Sequence, residues 1–83
     1  MNALSNWHII AYDITDKKNL NKVHRQLQKV AMPIQKSVFL IHATDTQLQA
    51  ILNQISTIIN KKQDDIRSYP VESAQSIWFS GKS

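Results

Sequence analysis

The sequence has no cysteine, a single glycine and two prolines in 83 residues. Without cysteine there is neither a disulfide framework nor a zinc site built on thiolates. With Gly81 alone there is no glycine-rich loop to cradle a phosphate. No apolar run approaches the roughly 20 residues that cross a bilayer, and the first residues, Met-Asn-Ala-Leu-Ser-Asn, lack the basic-then-apolar layout of a signal peptide. The expectation is a soluble, cytoplasmic protein. Acidic residues are also scarce, 6 against 10 basic ones, giving a net charge of +4. That balance favours an anionic partner, nucleic acid foremost. A chain of this length forms one domain, residues 1–83, and buries only about 60–65% of the surface its unfolded form exposes. Lacking disulfides and zinc, it is expected to gain stability by pairing with a second copy.

What is present begins with Trp7-His8-Ile9-Ile10-Ala11-Tyr12-Asp13-Ile14, a nearly continuous apolar run. It suits a strand covered on both faces at the centre of a sheet. Asp13 stands where this strand leaves the core. The period then changes. Leu20, Val23, Leu27 and Val30 form one apolar stripe of a helix between Thr15 and Val30, with Asp16 as its N-cap. Another face of this helix carries Lys18, Lys22, Arg25 and Lys29, a cationic stripe about three turns long that could follow a phosphate backbone. Pro33 ends the helix, and Ile34 to His42 is expected to form one long or kinked strand. Thr44 and Gln47 make a capping-box pattern. Leu48, Ile51, Leu52, Ile55, Ile58 and Ile59 then hold a helical stripe to about Asn60. Asp64 and Asp65 read as a solvated turn, Ile66 to Val71 as a strand stopped by Pro70, and Ile77-Trp78-Phe79 as a short terminal strand. This alternation predicts an α+β sandwich, two helices on one face of a sheet. Since both sides of the first strand are apolar, the face without helices is expected to be covered by a second protomer.

Three short motifs occur in order: Tyr12-Asp13-Ile14-Thr15-Asp16; Gln35-x-Ser37-Val38-Phe39; and Asp65-Ile66-Arg67 with Tyr69-Pro70. Together they resemble the small CRISPR-associated endoribonuclease that partners the CRISPR integrase during spacer acquisition. The resemblance runs from about Ile9 to Gly81. It implies a ferredoxin-like fold with a mainly antiparallel sheet, and a homodimer in which the strand from Ile77 to Ser80 pairs with the partner's sheet. It further implies Mg2+ held between the Asp13 residues of two protomers, with Asp13, Tyr12 and Phe39 as catalytic residues. Lys22 stands where relatives commonly have Arg, and loses that side chain's forked donor geometry. Leu20 and Pro33 replace further common arginines, and Ala31 a common glycine.

The function expected is therefore a CRISPR adaptation subunit that binds DNA or RNA and acts as a magnesium-dependent endonuclease. One alternative is a toxin-like ribonuclease of the related virulence-associated family; another is a non-catalytic DNA-binding scaffold. The remaining polar residues carry blander readings. Asp16 and Asp45 serve helix starts, while His8, His24 and His42 lack metal-ligand spacing and are packed or surface imidazoles. Ser37 lacks the flanking glycines of a nucleophile elbow, and Trp7, Trp78 and Phe79 belong to a core or interface.

Overall fold

The computed structural model describes residues 5–71. Along the chain these form β1 (Asn6–Asp13), α1 (Lys17–Gln28), β2 (Met32–Gln35), β3 (Val38–Ala43), α2 (Asp45–Ser56) and β4 (Asp65–Val71). The four strands make one sheet in the order β2-β3-β1-β4, every neighbouring pair antiparallel. Each helix crosses from one strand to another two places away in the sheet, and this is the ferredoxin-like arrangement that the sequence motifs imply. β1 is interior, as its apolar run requires.

Burial alternates along β1. His8, Ile10 and Tyr12 are buried, whereas Trp7, Ile9 and Ala11 are half-buried and Asp13 is exposed. The buried set faces the helices, where Val23, Leu27, Phe39, Ile41, Leu48 and Ile55 complete the core. Five side chains are wholly enclosed: Phe39, Ile10, Leu27, Ile55 and Val23. At about 1.5–3 kcal/mol each, these five contribute on the order of 10 kcal/mol, a minor share of the roughly 100 kcal/mol of chain entropy that folding must offset. Among the described residues no helix lies on the other face of the sheet. Across it lies the row Met32, Leu40, Ile9 and Tyr69, fixed by the registers Met32↔Leu40, Ile9↔Leu40 and Ile9↔Tyr69. Met32 and Tyr69 are exposed.

Several boundaries differ from the sequence reading. The Ile34–His42 stretch is not one strand but part of a hairpin, β2 and β3 joined through Lys36 and Ser37. No described residue has positive φ, so the turn is not of the glycine- or asparagine-bearing kind that announces a hairpin. A register shift between Pro33 and Gln35 accompanies it, and such a bulge adds the twist that an ordinary turn lacks. Pro33 thus lies inside an edge strand, where its missing N–H is tolerated. Pro70 likewise does not stop β4 but lies within it, opposite His8. α1 is shorter than Thr15–Val30, and Val30 is exposed instead of joining the apolar stripe. α2 stops at Ser56 and not near Asn60. There Ser56 Oγ and Thr57 Oγ1 donate to the carbonyls of Asn53 and Gln54, competing with the regular helical ladder. Ile58 and Ile59 still pack against the core from the turn that follows. The terminal strand expected at Ile77–Ser80 lies outside the described residues.

Candidate nucleic-acid and metal site

Asp13 is the last residue of β1 and is exposed. It shares strand parity with Trp7, Ile9 and Ala11, and so belongs to the face without helices. What lies across from it was hidden in the sequence. The β1–β4 register sets Asp13 directly opposite Asp65, and Ala11 opposite Arg67. Two carboxylates facing each other across strands repel. Arg67 Nε donates to Asp65 Oδ2 at 2.7 Å, leaving Asp13 as the carboxylate with no side-chain partner among the described residues. Asp65 is thus a strand residue of this cluster, not the turn residue expected.

The chain around Asp13 is held on both sides. On the C-terminal side, Thr15 N donates to Asp64 Oδ1 at 2.9 Å, and Asn60 N donates to Asp64 Oδ2 at 2.8 Å. These two main-chain donors hold the Asp64 carboxyl below the usual carboxylate range. Asp64 is therefore a tether between two loops and does more than solvate a turn. On the N-terminal side, Tyr12 N donates to Ser37 O at 3.1 Å. The Tyr12 hydroxyl lies 3.2 Å from His24 Nδ1 and 3.5 Å from the Lys36 carbonyl oxygen.

Tyr12 and Phe39 sit together, their rings stacked with centroids 6.2 Å apart. Both are buried in the core beneath α1, on the opposite parity to Asp13. The structure thus brings Tyr12 and Phe39 to each other and to His24, whose ring meets Phe39 edge-on at 5.2 Å. Their nearness to Asp13 is through the backbone. Burial pushes the Tyr12 phenol above its ordinary value, so it keeps its hydrogen at neutral pH. His24 was missed as a member of this group because it lies 12 residues from Tyr12, on another element.

Lys18, Lys22, Arg25 and Lys29 are all exposed, the last as the C-cap of α1. The helix turns Val23 and Leu27 toward the core, so the cations form an uninterrupted outward stripe. Asp16 caps the helix as expected, accepting from Asn19 N at 3.0 Å. Thr44 and Gln47 make the full capping box at α2. Neither Asp16 nor Asp45 reaches the Asp13 cluster by register.

Among the described residues there is no group of three or more His, Asp or Glu side chains that could hold a metal. The Asp13 carboxylate nevertheless has the donor chemistry of a magnesium ligand, a hard oxygen at an exposed strand end. Mg2+ takes one or two carboxylates and keeps most of its waters. A second carboxylate from a facing copy would fit that demand without a dense cluster in one chain.

The model of the family described as CRISPR associated protein Cas2 matches residues 6–76. A CRISPR-associated endoribonuclease Cas2 of Nitrosomonas europaea is 46% identical over 63 residues, covering 76% of this chain and 60% of that protein. One from Thermodesulfovibrio yellowstonii is 36% identical over 64 residues, covering 77% and 70%. The matched part of the chain therefore spans under two thirds of the first of these relatives. Among solved structures, the hypothetical protein TT1823 of Thermus thermophilus superposes with a TM-score of 0.79 at 26% identity, over 83% of this chain and 84% of that one. Cas2 of Streptococcus pyogenes gives 0.72 at 26% identity, over 78% and 84%. A chain of a partial Cas6-RT-Cas1–Cas2 complex gives 0.70 at 25%, over 83% and 76%.

Proposed function

This chain belongs to the Cas2 family of CRISPR-associated proteins, and on that premise we propose that it is a CRISPR adaptation subunit working as a homodimer. In this reading two copies pair through the open sheet face, and their Asp13 carboxylates share Mg2+ in a cleft that hydrolyses a phosphodiester. The observation that carries it is the placement of Asp13: an exposed carboxylate, free of side-chain partners among the described residues, at the rim of the sheet face that no helix covers. The relatives named endoribonucleases support the activity, and the complex containing Cas1 supports an integrase as partner. Family membership leaves the toxin-like ribonuclease of the virulence-associated family without support.

Each group has a defined task. The α1 stripe attracts and aligns the nucleic-acid backbone, each phosphate contact releasing counterions. Asp13 anchors the metal, and Tyr12 and Phe39 brace the strand end that carries it. Bound Mg2+ supplies charge stabilisation at the phosphoryl group and a more acidic water. Arg67, fastened to Asp65 through Nε, keeps a positive charge on the same face.

The scaffold reading has its own observation. The cationic stripe is on the outer side of α1, across the sheet from Asp13's face, so nucleic acid could be gripped without reaching the carboxylates. Asp13→Asn separates the two. Expected is loss of magnesium-dependent cleavage by roughly a hundredfold or more with nucleic-acid affinity retained. Unchanged cleavage by the variant would remove Asp13 from the metal site. Spacer acquisition that survives the loss of cleavage would make the scaffold role the biological one.

A further inference from the structure

The residue immediately before Asp13 is bound at both its main chain and its side chain to segments outside β1. Tyr12 N donates to Ser37 O in the hairpin turn, and the Tyr12 hydroxyl faces His24 Nδ1 on α1 at 3.2 Å and Lys36 O at 3.5 Å. A phenol has one hydrogen to give. With His24 carrying its own hydrogen on Nε2, Nδ1 is the nearer acceptor and takes it. The imidazole is itself fixed, edge-on to the enclosed ring of Phe39. One residue beyond Asp13, Ile14 is buried, and Thr15 N is tied to Asp64. The end of β1 is thus pinned just before and just after its carboxylate, and His24 is the pin contributed by the helix.

We propose that His24 is a positioning residue for the Asp13 site: by taking the Tyr12 hydroxyl hydrogen on Nδ1 it fixes the end of β1, and with it the direction of the Asp13 carboxylate. His24 touches neither nucleic acid nor metal in this role. The proposal rests on the reading of Asp13 as the magnesium ligand and adds to it the residue that aims the ligand. It also accounts for a histidine on the inner side of α1, where an apolar residue would complete the core at less cost.

Two substitutions pull packing and hydrogen bonding apart. His24→Phe keeps a ring against Phe39 and removes the acceptor. His24→Asn removes the ring and places a carbonyl oxygen where Nδ1 stood. If His24 merely fills space, function follows stability, and His24→Phe is the better protein on both counts. If it positions, the order crosses: His24→Phe has the higher melting temperature, yet His24→Asn has the better site. The measurements are made on the full chain. They are melting temperature, Kd for Mn2+ by titration calorimetry, and magnesium-dependent cleavage of a labelled single-stranded RNA and a labelled DNA duplex. Expected for His24→Phe is an Mn2+ affinity weakened about tenfold and a kcat lowered about tenfold with KM nearly unchanged. His24→Asn should recover most of both. In the imidazole 15N spectrum of the wild-type chain, His24 should show the Nε2–H form with a hydrogen-bonded Nδ1, and Tyr12→Phe should move the Nδ1 signal. An Mn2+ affinity that tracks melting temperature across the two variants overturns the proposal. So does an Nδ1 signal unmoved by Tyr12→Phe. A wild-type chain that binds Mn2+ through Asp13 and cleaves neither substrate removes the nuclease reading alone, and the affinity comparison still decides His24. Mn2+ binding that Asp13→Asn leaves intact removes both.

Discussion

Replacing Asp64 with Asn preserves the side chain's shape and removes the charge that two main-chain N–H groups converge upon. Because those donors, Thr15 N and Asn60 N, depress the Asp64 carboxyl in the folded chain, its contribution is present above the ordinary carboxylate value of about 3.9. It is lost as pH falls through the lower folded value. The Asp64→Asn variant should therefore melt below wild type at pH 7. The gap should close in thermal scans as the pH is taken down past that range. A gap that stays constant with pH would mean that the charge contributes nothing. At this scale the sequence revealed residues whose role is local: Asp16 as a cap, Thr44 with Gln47, and Asp13 as the carboxylate ending an apolar strand. It could not reveal roles that depend on register or on a second element. Asp65 opposite Asp13 and His24 on Tyr12 are far apart in sequence from what they face, and Arg67 on Asp65, though only two residues along β4, gains its meaning from that register.

Among the elements, α2 was legible almost to the residue at its start because both halves of its capping box are written within four positions. Thr44→Ala removes the hydroxyl that accepts from Gln47 N. It should cost about 1 kcal/mol, lowering the melting temperature by roughly 4–8 °C without altering nucleic-acid affinity. The β2–β3 hairpin was illegible for the opposite reason. Lys36-Ser37 carries no turn signature, and the bulge that makes such a turn workable is a property of pairing. α1 carries a functional prediction. Substituting Gln at Lys18, Lys22, Arg25 and Lys29 together removes the outward stripe while leaving Val23 and Leu27 in place. The slope of log affinity against log salt for duplex DNA should flatten by up to about 3.6, with little change in melting temperature. An unchanged slope would place the nucleic acid on another surface.

For the whole molecule, the sheet offers two unlike faces. One is roofed by the helices; the other shows Met32, Ile9 and Tyr69 in a row, with Trp7 against His42 beside them. Among the described residues no helix is long and apolar enough to cross a membrane. A second copy is the occupant proposed for the apolar face. Ile9→Glu places a charge at the middle of the row without touching the core. It should convert a dimer to a monomer in sedimentation, and abolish metal-dependent cleavage while sparing the fold. The sequence anticipated this face from strand parity alone, since both sides of β1 are apolar and two helices can cover only one. In the proposed dimer, two copies contribute one Asp13 each to a single metal. Counting Mn2+ ions bound per chain, for wild type and Asp13→Asn, tests it most directly. A shared site binds about one ion per two chains and loses it in the variant; one ion bound per chain, or binding indifferent to Asp13, would rule the shared site out.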